Sequence, residues 1–187
     1  MTTMGTPILR KLRPEEFDVA HGILVSAAEW LISKGIRQWT TAYPKEMYLA
    51  CQEKGWNYGL VSDGQLTVIM TLSCGLRPEW ADCVGTTSVW WLSKLATAPG
   101  YRGLGLGARA VRHAISAFSA QGADRLYLDC VHGTGFLVDF YRGLGFETVA
   151  RRNVQFPTGL FDMVLMELKL PVEPSLFTVT GGEEAAP

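Results

Sequence analysis

The sequence has no run of lysine and arginine, no paired-cysteine motif and no apolar stretch long enough to cross a bilayer. With a formal net charge of -1, it carries no electrostatic footprint for a nucleic acid. A local basic patch is compatible with that balance. The four cysteines, Cys51, Cys74, Cys83 and Cys130, form no C-x-x-C pair, and none has a histidine at zinc-ligand spacing. No metal site is expected. At 187 residues the chain can bury a core without covalent staples, so buried free thiols in a reducing compartment are the expectation. The first residues are polar and lack the apolar core of a secretory signal. These absences together predict a cytoplasmic protein with no membrane and no nucleic-acid partner.

What is present is an ordinary globular composition, 48% hydrophobic and 19% charged. It predicts one domain over residues 1–170 and a flexible tail over 171–187, where patterning stops. Residues 8–12 read as a short strand ending at Arg13-Pro14. Pro14, Glu15 and Glu16 suit a helix start, and Phe17, Ala20, Leu24, Ala27 and Leu31 recur at helical spacing. A second short helix begins at Pro44. Residues 56–61 and 66–72 form a hairpin across Ser62-Asp63-Gly64. A long loop over 75–87 leads to a strand over 88–97, and a helix follows from about Gly103. Residues 125–131 are a strand, 135–142 a short helix, and 146–154 and 163–170 the last strands. Hairpins first and a strand–helix–strand crossover later indicate a mixed α/β (α+β) fold, with a mostly antiparallel sheet of six to seven strands and helices on both faces.

The most informative segment holds Arg102, Gly103, Leu104, Gly105, Leu106 and Gly107, between a strand and a helix. The first turn of a helix has unpaired N–H groups and a partial positive charge. Glycines there remove side chains that would block an anion, and Arg102 adds a charge at the rim. The result suits a diphosphate. The run Gly103-x-Gly105-x-x-Ala108 also fits the G-x-G-x-x-G/A dinucleotide fingerprint, with Asp129 ending the next strand. Against a dinucleotide-binding oxidoreductase, residues 98–102 separate the glycines from the strand, and hairpins precede the motif.

The segment resembles the GNAT superfamily of acetyl-CoA-dependent N-acetyltransferases. Arg102-Gly103-Leu104-Gly105-Leu106-Gly107 matches that family's Arg/Gln-x-x-Gly-x-Gly/Ala motif. Residues 94–102 resemble its L-x-V-x-P-x-Y-R-G approach, and Phe140-Tyr141-Arg142-Gly143-Leu144-Gly145-Phe146 resembles its F-Y-x-x-x-G-F. Thr134 stands where members often carry a cofactor-contacting Asn, and its hydroxyl can supply part of that bonding.

The resemblance implies a GNAT-like sheet with splayed central strands, and acetyl-CoA as the cofactor. Its diphosphate would lie on the N–H groups of residues 102–107, with its arm along Leu95, Ala96 and Thr97. The strand ending at Thr97 would part from the one ending at Val131. An N–H near Leu95 or Ala96 would polarise the acetyl carbonyl, and Tyr141 would be the general acid. The base stays open among Glu79, taken first, then His132, Asp82, Glu29 and Asp129. Trp30, Trp39 and Tyr43, with Arg37 and Gln38 between them, are candidates for the acceptor pocket. Arg109 and Arg112 are candidates for the adenosine phosphate. A primary amine of a small molecule or peptide is the expected acceptor, and a monomer or homodimer the expected assembly. A non-catalytic acyl-CoA-binding module of the same fold is the alternative.

Overall fold

The computed structural model describes residues 6–39, 43–84, 89–121, 123–133, 135–157 and 159–170. Thr134, Gly122 and the expected tail over 171–187 lie outside them. The described strands are β1 (Ile8–Lys11), β2 (Asn57–Ser62), β3 (Gln65–Cys74), β4 (Trp90–Thr97), β5 (Arg125–Val131), β6 (Glu147–Phe156) and β7 (Gly159–Lys169). The helices are α1 (Phe17–Ser33), α2 (Lys45–Glu53), α3 (Ala81–Val84), α4 (Leu106–Ala120) and α5 (Phe136–Arg142). One seven-stranded sheet runs β1-β2-β3-β4-β5-β7-β6. Its pairs are antiparallel except β4 with β5.

Strand alternation sorts the core into two faces. Val68, Met70 and Leu72 of β3 pack with Leu92, Leu126 and Leu128 beneath the apolar stripe of α4: Ala110, Val111, Ala114, Ile115 and Phe118. That stripe recurs every three or four residues, as an amphipathic helix requires. On the other face, Ile69 and Ala96 meet Leu24, Ala27 and Tyr48 of α1 and α2, while Trp91 and Tyr127 meet Trp80 and Val84.

Local differences from the sequence reading have physical causes. Helix α4 starts at Leu106 and not at Gly103, because Gly103 and Gly105 stand at φ +78° and +72°, which is outside helical space. The loop over 75–87 contains a 3-10 turn, Pro78–Trp80, and α3. Trp80, fully buried, anchors them to the sheet. The last two strands extend to Phe156 and from Gly159, carried by a Phe156–Phe161 ring pair at 5.8 Å. Asp63 and Gly64 both have positive φ, as the Asp-Gly hairpin signal requires. All four thiols are free, but only Cys130 is buried and Cys74 is exposed. The chain did not need all its cysteines for packing.

Candidate active site

A run of free backbone donors opens α4. Among the described residues, no acceptor takes the N–H groups of Arg102, Gly103, Leu104, Gly105, Leu106, Gly107 or Ala108. The first helical bond is Arg109 N–H to the Gly105 carbonyl, at 3.1 Å. A Cβ built on Gly103 or Gly105 would meet nothing within 4 Å, so the outer side of the turn is open. Leu106 turns its side chain into the core, which fixes the turn from below. Exposed Arg109 and Arg112 form no ion pair among the described residues. This combination fits a diphosphate on chemical grounds.

Arg102 departs from the rim position expected of it. Its Nε donates to the Thr97 carbonyl at 3.3 Å and its Nη2 to Ser26 Oγ at 3.0 Å. The guanidinium lies 5.6 Å over the Trp30 ring. A planar, weakly hydrated cation gains from that stacking. In this structure Arg102 offers the turn its backbone N–H and not its charge.

Beside the turn the sheet opens. Strands β4 and β5 pair only at Trp90↔Leu126 and Trp91↔Tyr127. Beyond that, β4 carries an irregularity against β3 between Ile69 and Thr71, and Lys94 there has φ +52°. An extra residue in one strand bends it and raises its twist, which turns Leu95, Ala96 and Thr97 away from Asp129 and Val131. The backbone N–H of Val131, left without a β4 partner, donates to Gln38 Oε1 at 2.7 Å. Gly107 brings the turn to this opening. A Cβ on it would lie 3.3 Å from Thr97 Oγ1 and 3.9 Å from Phe140 Cζ, so the start of α4 sits between the end of β4 and α5.

Tyr141 of α5 packs against the core cluster on the α4 face of the sheet. Its ring makes edge contacts with Phe140 at 5.0 Å and Phe146 at 5.9 Å. Burial first, then the nearby Cys130 and Asp129, push its phenol well above the usual tyrosine range. It therefore keeps its proton at neutral pH and can donate one. Burial also pushes the Cys130 thiol up to about 12, which makes it a poor nucleophile.

On the other face, Asp129 is committed to two partners. Arg77 Nη1 donates to Oδ1 at 2.7 Å and Trp80 Nε1 to Oδ2 at 3.0 Å. Arg77 also stacks 4.3 Å over Trp91. Glu79 lies between Arg77 and Trp80, partly exposed, and its carboxylate takes no hydrogen bond or ion pair among the described residues. Asp82 forms a two-pronged pair with Arg152 at 3.0 and 2.9 Å. His132 donates its backbone N–H to the Asp162 carbonyl at 2.8 Å, and its ring stands 4.0 Å from that carboxylate. Glu29 is exposed on α1.

Trp39 bridges the aromatic candidates: it packs on one core cluster with Trp30 and on another with Tyr43, and Trp30 meets Phe136 of α5 at 6.5 Å. Tyr43 lies further along, with Lys94 Nζ 4.7 Å over its ring. A cavity of about 420 Å³ opens past the splayed ends, lined by Gly35, Arg37, Val131 and the hairpin residues Leu160, Phe161 and Asp162. None of residues 102–107 lines it, so it is a separate space from the α4 turn. Sequence reasoning found the Arg37 wall and missed the hairpin wall. It also missed Arg77, Trp80 and Lys94. Only Lys94 left a signal, as the one charged residue of β4.

Asp129→Ala should cost about 3 kcal/mol in a urea titration, because it strands a buried indole N–H and a largely buried guanidinium. A loss below about 1 kcal/mol would mean that water already satisfies both groups.

The sheet order, the opening at its one parallel pair and the donor-rich turn beside it define an acyl-thioester-binding transferase architecture. A model of the Acetyltransferase (GNAT) family matches residues 24–146, and the chain belongs to that family. Acetyl-CoA is the cosubstrate of the family. The chain is 31% identical over 140 residues to the "Uncharacterized N-acetyltransferase YesJ" of Bacillus subtilis (strain 168), covering 71% of this chain and 77% of that one. Among solved structures it resembles a GNAT-family acetyltransferase from Listeria monocytogenes 4b F2365, with a TM-score of 0.73, 17% identity and coverage of 88% and 95%. It also resembles yncA of Salmonella typhimurium, a putative acetyltransferase solved with its cofactor acetyl-CoA, with a TM-score of 0.64, 16% identity and 98% of both chains covered. At such identities these two likenesses bear on the fold.

Proposed function

We propose that this protein transfers the acetyl group of acetyl-CoA to a primary amine of a small molecule or peptide, by direct attack of the amine. The observation that carries this reading is the run of unpaired N–H groups from Arg102 to Ala108, opening beside the splayed β4 edge. Those groups would hold the diphosphate, with Arg109 and Arg112 near the adenosine phosphate. The edge at Leu95, Ala96 and Thr97 would pair with the arm, as an added strand pairs with a sheet. Bound acetyl-CoA supplies an activated acyl group with a thiolate leaving group. An N–H at Leu95 or Ala96 would bear the charge that develops on the acyl oxygen. Tyr141 would give its proton to the departing sulfur.

The amine must arrive neutral, although a free alkylamine has a pKa of about 10.4. Glu79 is the proposed base, acting directly or through one water. The support is that its carboxylate is uncommitted, whereas those of Asp82 and Asp129 are held by arginines. Glu79→Gln should lower kcat/KM about 100-fold and leave acetyl-CoA affinity unchanged in a calorimetric titration. A loss under threefold would remove Glu79 from the role.

The reading is tested by incubating the protein with acetyl-CoA and a panel of primary amines, following free thiol release and product mass. Turnover of any amine supports it. Binding of acetyl-CoA without turnover across the panel would leave a binding module. Stabilisation by NAD but not by coenzyme A would overturn the reading altogether.

A further inference from the structure

Lys94 is the residue that the mechanism above leaves unused. It sits at the irregularity of β4, with a backbone conformation at φ +52° that side chains rarely adopt. That geometry turns its side chain toward α2, where the ammonium is largely buried. Its neighbours are the Cys51 thiol at 3.9 Å and the face of the Tyr43 ring at 4.7 Å. No carboxylate pairs with it among the described residues.

A ring face and a thiol are weak compensation for a desolvated ammonium. The nearest carboxylate influence, Asp129, is already divided between Arg77 and Trp80. Arg77 adds a second positive charge to the same region. Next to Lys94, the Ser93 hydroxyl is buried with no hydrogen-bond partner. By strand alternation it leaves on the face of Trp91 and Arg77, not that of Leu92. Among the described residues, the region thus holds a cation and a hydroxyl donor that lack an anion. Burial, with Arg77 reinforcing it, pulls the Lys94 pKa below its ordinary value, and a bound anion would reverse that.

We infer that Lys94, with Ser93 beside it, anchors a carboxylate of the acceptor, so that the preferred acceptors are small amines bearing a carboxylate, such as amino acids. This inference rests on the acetyl-transfer reading. Lys94 is one or two residues from the Leu95 and Ala96 N–H groups proposed to face the acetyl carbonyl. The carboxylate and the reacting amine must then lie within about 7 Å of each other, which a short amino acid satisfies. The zwitterion would point its carboxylate at Lys94 and its ammonium toward uncommitted Glu79.

The test compares each amino acid with its own amide in acetyl transfer by the full-length protein. The wild type should favour the acids by about tenfold or more in kcat/KM, chiefly through KM. In Lys94→Met that ratio should collapse toward one, and in Lys94→Arg it should be at least partly retained. Retention by arginine separates an anchor from a lysine acting as base, since arginine keeps its charge. Acetyl-CoA affinity and melting temperature serve as folding controls for both variants. Amides turned over as well as acids by the wild type would overturn the inference and leave the acetyltransferase reading intact. If no amine is turned over, that reading fails, and calorimetry of the acids and amides with coenzyme A-loaded protein decides the anchor. Binding that depends on the carboxylate and is lost in Lys94→Met supports it, and equal or absent binding overturns it.

Discussion

Gly105→Glu is expected to weaken acetyl-CoA binding by at least about 100-fold, with the protein still folded. Two effects combine. A non-glycine residue at φ +72° costs about 1–2 kcal/mol of stability, which a domain of this size tolerates. The carboxylate then stands in the open space outside the turn, where a Cβ meets nothing within 4 Å. There it would displace the diphosphate from N–H groups worth about 1.5–3 kcal/mol each to a charged ligand. Gly105→Ala carries the same backbone strain with little added bulk, and it should keep most of the affinity. Calorimetric titration of both variants reads the difference directly. If the two lose affinity equally, strain and not obstruction is responsible, and the diphosphate lies elsewhere.

The second large effect is expected on chemistry and not on binding. Tyr141→Phe preserves the ring that packs against Phe140 and Phe146 and removes only the hydroxyl. Turnover of acetyl-CoA should fall about 100-fold at unchanged acetyl-CoA affinity. An acyl donor with a more acidic leaving thiol should show a smaller loss, because its sulfur needs less help from a proton. The pH dependence has a definite sign. The phenol is raised above its ordinary value of about 10, so Tyr141 stays protonated from pH 6 to 9. The wild-type rate should therefore not decline over that range through ionisation of Tyr141. Stopped-flow single turnovers separate this step from product release. An unchanged single-turnover rate in Tyr141→Phe would remove it as the acid.

Much of the architecture was legible before any coordinates. The helical stripe from Phe17 to Leu31, the Asp63-Gly64 turn and the strand over 125–131 follow from short-range rules, and each stands where it was expected. The α4 turn was legible for the same reason, since its glycines encode positive φ and open space locally. The 3-10 turn at Pro78–Trp80 was not, because it holds its place by burying Trp80 against Asp129, 49 residues away in sequence. Arg102 shows the limit from the other side. Its charge was readable, but its direction depended on Ser26 and Trp30 of a distant helix.

The amino-acid order alone determined the order of the strands and of the helices outside residues 75–87, the glycine turn and the family resemblance, because those depend on neighbours a few residues apart. The family resemblance implied that β4 and β5 part; only the tertiary structure decided that they do so after two paired residues, that Gln38 covers the bared Val131 N–H, and that Lys94 ends beside Tyr43 and Cys51 with no acid paired to it among the described residues. Those outcomes follow from the irregular register between β3 and β4 and from packing across the sheet. Such long-range matches are set jointly by many side chains, and no local pattern records them.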